Sequence, residues 1–390
     1  MNRFEQVTPR KGTRSVKWDL LKYMYKDEEV LPMWVADMDF KTPEAVTEAI
    51  SKRVEHGIFG YTWPDEDVKA QIKDWIQKRH DWEVQPSWIT YSPGVIPSLH
   101  MIVQSLTDIA DHVLIQTPVY PPFYSVVKDH GRHIVKNPLQ FSNGQYTIDF
   151  EDFEEKIKEN DVKMFILCNP HNPVGRVWTQ DELTKMKDIC VAHDVLIVAD
   201  EIHADLVYKN HKHIPMASLS EEANNQTITC LSPTKTFNLA GLQASYVITS
   251  NEEMRKKLDK QFHNQGMMML NTLGLTALES AYKCGADWLD ELLETLETNR
   301  DYVEARFHEE TDTVQVIHAE GTYLLWLDCR DLGMAHEDLK TFMQEKAKVG
   351  LNDGASFGDE GEGFMRINIA APFSIVEEGV TRIINAVHQL

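Results

Sequence analysis

"VKMFILCNPHNPVGRVWTQDELTKMKDICVAHDVLIVADEIH", residues 162–203, decides the fold. It opens on an apolar run, VKMFILC, and closes on another, VLIVAD. Between them TQDELTKMKDICVAHD starts with Thr179 as a helix N-cap, carries Glu182 three residues on, and continues with apolar residues at helical spacing. Strand, helix and strand in that order predict a parallel pair joined by a crossover helix. The same alternation extends from about Trp88 to Ser250, through WITYSP, HVLIQTP, HIVKNP, TITCLSP and ASYVITS. The expected fold class is therefore α/β: a large domain with a mostly parallel sheet flanked by helices on both faces. After about Gln265 the pattern changes to long helix-like stretches, then TVQVIHA, TYLLWLDC and FMRINIA, which predict a smaller α+β domain. The expected division is 46–285 for the large domain, and 1–45 with 286–390 for the small one, because chain termini often lie close together.

Several of the runs end in polar or proline-bearing tails: CNPHNP, ADEIH and LSPTK. In open α/β sheets the carboxyl ends of the strands are where ligands sit. In the first tail Asn169 and Asn172 each precede a proline, a pattern that holds a side-chain amide in a fixed direction. In the second, Asp200, Glu201 and His203 follow an apolar strand, and a carboxylate there must be solvated or paired. A helix N-cap is the alternative for that motif taken alone. In the third, Lys235 is the sole charge in LSPTKTFNLAG. A lysine in a low-polarity pocket loses proton affinity and becomes a nucleophilic amine, suited to a Schiff base with a carbonyl compound. Ser232, Thr234 and nearby amides suit a phosphate, although a surface lysine on a polar loop is the plainer reading of Lys235 in isolation. In YSPGVIPSLHMIVQSL a strand passes through Gly94 into a helix, leaving the amides of Val95 and Ile96 at a helix N-terminus, a second phosphate site.

Composition removes other classes of function. The chain has 390 residues, 42% hydrophobic, enough for a large core. Against 39 Lys and Arg stand 61 Asp and Glu, a net charge of −22 that repels phosphate backbones, so nucleic acid is not an expected partner. No apolar run reaches the roughly 18 residues of a membrane helix, so no membrane is expected. The first residues, MNRFEQVTPRKGTRSVKWDL, lack the apolar core of a secretory signal. The five cysteines are odd in number, widely spaced and without a CxxC pair, as expected of free thiols in a reducing cytoplasm. No metal-ligand set stands out, and His211-Lys212-His213 reads as a solvated loop. NDGASFGDEGEG (352–363) is too acidic to cradle a phosphate and reads as a mobile turn.

Taken together, NPxNPxG, ADEIH, SPTKTFNLAG and FMRINIA resemble the fold-type I pyridoxal-phosphate enzymes of the aspartate aminotransferase superfamily. MWVADMDF, FGYTWP, SPGVIPSL, TPVYPPFY and ADEIHADL are similar to the MalY/PatB group of cysteine-S-conjugate (cystathionine) β-lyases. The resemblance covers essentially the whole chain. It implies pyridoxal 5'-phosphate as cofactor, with Lys235 as the Schiff-base and catalytic residue. It also implies Asp200 at the pyridine nitrogen, Asn172 at the ring hydroxyl, His203 near the same edge and Tyr120 stacked on the ring. Val95, Ile96, Ser232 and Thr234 would hold the phosphate. Arg366 would clamp the substrate carboxylate, with Ala36, Tyr120 and Asn172 beside it. Tyr61 would reach the phosphate of a neighbouring subunit, which implies a functional homodimer.

One departure is that Thr236 to Ser245 contains no basic residue, where many aminotransferases place an arginine for the phosphate. The expected reaction is α,β-elimination of an L-cysteine thioether to a thiol, pyruvate and ammonia. An aminotransferase is the rival within enzymes and a cofactor-binding regulator the rival outside them. The leaving group is not fixed by these motifs.

Overall fold

The computed structural model describes residues 3–267 and 269–390. Its central sheet has seven strands in the order Ile89–Ser92, Ser245–Ile248, Thr227–Leu231, Leu196–Asp200, Val162–Cys168, His112–Thr117, His133–Pro138. All run parallel except Ser245–Ile248, which is antiparallel to both of its neighbours. The helix between the two runs first quoted spans Gln180–Ala192 and starts on a complete capping box between Thr179 and Glu182.

Both faces of the sheet are buried, and successive residues of one strand go to opposite sides. From Val162–Cys168, Phe165 and Leu167 pack with Phe153, Leu183 and Met186 on one side. Met164, Ile166 and Cys168 pack with Leu99, Phe123 and Leu258 on the other. This double burial is why the strands read as unbroken apolar runs rather than as alternating ones.

A second, antiparallel sheet is formed by Gln315–Ile317, Leu324–Asp328, Phe364–Asn368 and Asn352–Asp353 in that order. The N-terminal segment is stitched to it. Leu31–Pro32 pairs in parallel with Val349–Gly350. Asn368 donates to the carbonyls of Val35 (2.6 Å) and Asp37 (2.7 Å), and the Asp39 amide donates to Ala370 O. The segment 33–40, which bends at 35–37 and again at 39–40, is thereby held against the second sheet.

Two local readings are corrected. The glycine-rich stretch 352–363 is packed, not a free turn. It forms a short strand and two tight turns, with Phe357 buried and its carbonyl accepting from the Val119 amide and the Tyr124 hydroxyl. Its glycines allow backbone contact: a Cβ on Gly361 would lie 2.0 Å from Gly354 O. Asp359, 93% exposed, and Glu362 face water, whereas Asp353 is bonded to His336 and one carboxylate oxygen of Glu360 is buried. His213 is buried rather than solvated, its Nε2 3.1 Å from Glu201 Oε2. Pairing to the acid beside Asp200 overrides the polarity of its neighbours in sequence.

Gly175 ties the NPHNPVG loop to the second sheet. It has φ +75°, and its carbonyl accepts from the amides of Glu320 (2.8 Å) and Gly321 (3.2 Å). A Cβ there would stand 2.9 Å from Ala319 Cβ. Gly175→Ala is expected to lower stability by about 1–3 kcal/mol through left-handed strain and that clash. Denaturant titration against the parent protein measures this.

Candidate active site

Asp200 ends its strand between Cys168 and Cys230 of the neighbouring strands. Apolar strands and two thiols leave its carboxylate little to bind; it accepts from the Ile202 amide at 3.2 Å. Burial, helped by the adjacent Glu201, pushes its pKa up to about 7, against the opposing pull of the Ile202 amide and Lys235.

Lys235 lies on the short helix Pro233–Thr236, whose N-cap Ser232 accepts from the Thr234 amide. Its Nζ donates to Ala36 O at 2.6 Å. Burial, then the nearby Arg366, lowers its pKa to about 8 against the pull of Asp37 and Asp200. Tyr323 donates to the same Ala36 oxygen at 3.0 Å, and its ring meets that of His203 edge-on at 6.0 Å. His203 is held neutral: burial, Lys235 and Arg366 together lower its pKa to about 3. Its buried Nδ1 has no hydrogen-bond partner among the described residues.

A cavity of about 260 Å³ gathers these groups. Its wall includes Ala36, Val95, Ile96, Tyr120, Asn172, Asp200, His203 and Lys235, each of which the sequence singles out. The helix Val95–Leu106 starts at this wall with no side-chain cap, so its first amides are free for an anion.

Arg366, on the strand Phe364–Asn368, enters from the second sheet. Its Nη1 donates to Asn172 Oδ1 (2.9 Å), and its Nη2 to Asn352 Oδ1 (2.5 Å) and Trp34 O (3.2 Å). The guanidinium lies 4.9 Å over the Phe357 ring. Its buried Nε has no partner among the described residues, and burial lowers its pKa to about 10.

Ser232 and Thr234 stand next to this wall rather than on it. Their hydroxyl oxygens are 2.7 Å apart, and Ser232 donates to Ala244 O. Tyr61 is not brought to the cavity of its own chain; it is 99% exposed. Residues the sequence reading missed are Tyr323, Cys168, Ile202 and Gln243. The last three line the cavity, and Gln243 brings a neutral amide to it from the stretch that lacks a basic residue. Tyr323 opens an ordinary apolar strand, and Cys168 gave no signal beyond adjoining Asn169.

The site suits a molecule that is anionic at one end, carries a protonatable ring nitrogen at the other and presents a reactive carbonyl. Uncapped amides face the anion, a buried and nearly unpaired carboxylate awaits a cation, and an amine of lowered basicity stands within the same cavity. Pyridoxal 5'-phosphate has this chemistry.

The chain belongs to the aminotransferase class I and II family, whose model matches residues 28–383. It is 46% identical over 380 residues to the cystathionine beta-lyase PatB of Bacillus subtilis, covering 97% of this chain and 98% of that protein. It superposes on the PLP-bound putative aminotransferase of Clostridium difficile with TM-score 0.97 and 47% identity, over 98% of this chain and 99% of the other. Cystalysin from Treponema denticola, whose crystal structure contains pyridoxal 5'-phosphate, matches with TM-score 0.97 and 38% identity over 100% and 99% of the two chains.

The raised Asp200 pKa has a consequence for the cofactor-free protein. Between the unfolded value near 3.8 and about 7 the folded state binds more protons than the unfolded state, so this group makes stability fall as pH rises across that window. Asp200→Asn without cofactor is expected to exceed the parent in stability at pH 8 by roughly 1–4 kcal/mol, and to match it at pH 4. Urea titrations at both pH values check this.

Proposed function

We propose that this chain is a pyridoxal-phosphate-dependent carbon–sulfur β-lyase, which cleaves L-cysteine thioethers to a thiol, pyruvate and ammonia. The observation that carries the reading is one cavity holding the amine of Lys235 and the acid of Asp200, with the fork of Arg366 bonded to Asn172 of the same wall. The 46% identity to a cystathionine beta-lyase supports it over almost the whole length.

When bound, the cofactor supplies a sink for the electron pair left when the substrate's Cα–H bond breaks. Asp200, poised near neutrality by burial, would hold a proton at the ring nitrogen. Arg366 would take the substrate carboxylate through two parallel N–H donors, with Asn172 and Asn352 fixing the plane of its fork. Lys235 would remove the Cα proton at Nζ; a pKa near 8 leaves a useful fraction of free amine at neutral pH. The same Nζ would hand a proton to the departing sulfur as the Cβ–S bond breaks. The released 2-aminoacrylate hydrolyses to pyruvate and ammonia.

Tyr120 would stack on the ring, Val95, Ile96, Ser232 and Thr234 would hold the phosphate, and neutral His203 would stand at the ring edge. Residues 46–285 would form the cofactor-binding domain, with 1–45 and 286–390 as the smaller one. We assign the protein to the cytoplasm and to a homodimer. The support for the dimer is an exposed apolar loop: Ile58, Phe59, Tyr61 and Trp63 are 67%, 57%, 99% and 82% exposed, an unfavourable surface unless covered. Tyr61 would then reach its partner's phosphate.

Incubation of the purified protein and cofactor with L-cystathionine tests the reaction. Pyruvate without an added keto acid is the expected product, whereas a strict requirement for a keto acid would make the enzyme an aminotransferase. Lys235→Ala is expected to lose the yellow imine absorbance of the loaded protein and to slow pyruvate release by at least about 10³-fold. Retention of both would remove Lys235 from its role.

A further inference from the structure

A second cavity, about 740 Å³, adjoins the first and shares Ala36, Tyr120 and Lys235 with it. Its wall carries Arg10, Asp37, Lys41 and Asn352, as well as Arg366. Resting on the lyase reading above, we propose that Arg10, Asp37 and Lys41 form a leaving-group subsite, which selects thioethers whose departing half bears its own ammonium and carboxylate.

Asp37 directly follows Ala36, whose oxygen lies 2.6 Å from Lys235 Nζ. It lines the second cavity together with Lys235 and Arg366, whereas Asp200 lines only the first. Arg10 grips it with two bonds, Nη1 to Oδ1 at 3.0 Å and Nη2 to Oδ2 at 2.6 Å. Arg10 is itself fixed by Asp39 Oδ1 (2.7 Å) and Met38 O (3.2 Å), and Asp39 by buried Lys17 (2.6 Å) and the Trp18 indole (2.8 Å). The pair is thus preset before any ligand arrives.

Pairing does not exhaust either group. A carboxylate has about four acceptor sites and a guanidinium five N–H donors, so lone pairs remain for a ligand ammonium and donors for a ligand carboxylate. Side chains of Arg10 and Asp37 are 21% and 20% exposed, so both are partly desolvated but reach the cavity, where charge is screened less than in bulk water. Lys41, exposed beside them, adds positive charge for the distal carboxylate. An uncharged alkyl leaving group would displace water from these charges and offer no hydrogen bond in return.

Three substrates with the same cysteine half test the subsite: L-cystathionine, S-(3-carboxypropyl)-L-cysteine, which lacks the distal amine, and S-(3-aminopropyl)-L-cysteine, which lacks the distal carboxylate. In the parent holoenzyme each deletion is expected to lower kcat/KM roughly 10-fold or more, the value of one charge-assisted contact. Asp37→Asn is expected to abolish the penalty for losing the amine and keep the penalty for losing the carboxylate. Lys41→Gln, a surface change that leaves folding intact, is expected to reduce the carboxylate penalty and leave the amine penalty alone. Equal losses on all three substrates in Asp37→Asn, or no discrimination by the parent enzyme, would overturn the subsite. Absence of pyruvate from every substrate would instead bring down the lyase reading, and the subsite with it.

Discussion

Removal of water from one amine is the constraint on which this molecule depends. Lys235 donates to a backbone carbonyl at 2.6 Å and keeps company with a buried arginine and a buried acid. Such a cluster is costly to desolvate, and it survives only because a large fold encloses it. The parallel sheet supplies Asp200 from one strand end and Lys235 from the turn after the next. The N-terminal segment supplies the carbonyl at Ala36, and the second sheet supplies Arg366. Four stretches far apart in sequence thus meet at one place, with Lys235 bonded to Ala36 and Arg366 to Trp34 of the same N-terminal segment.

Much of this was legible in the chain. The strand tails carry their chemistry because both faces of the sheet are covered: an apolar run that must stay dry can place a polar group only at its end. That is why position marked Asn172, Asp200 and Lys235 as candidates, while the roles expected of them came from the resemblance. Arg366 was legible through its motif rather than its neighbourhood, since its partners, Asn172, Asn352 and Trp34, lie up to 332 residues away.

What was not legible depended on long-range packing. Tyr323 looks like the start of any apolar strand, and only the fold brings its hydroxyl to Ala36. His213 reads as solvated because its neighbours are polar, yet Glu201 draws it inside. The stretch 352–363 misled for the opposite reason: Asp359 and Glu362 face water while Gly354 and Gly361 lie against backbone. In each case the deciding partner is remote in sequence, where periodicity carries no information.

The Asn172 loop is fastened to the second sheet twice: Gly175 O receives the amides of Glu320 and Gly321, and Asn172 Oδ1 receives Arg366. Those two attachments make the loop a mechanical link. A tilt of the second sheet that moved Arg366 would pull the asparagine side chain by the same lever. The guanidinium and the amide then shift as a single displacement, and neither has a separate adjustment.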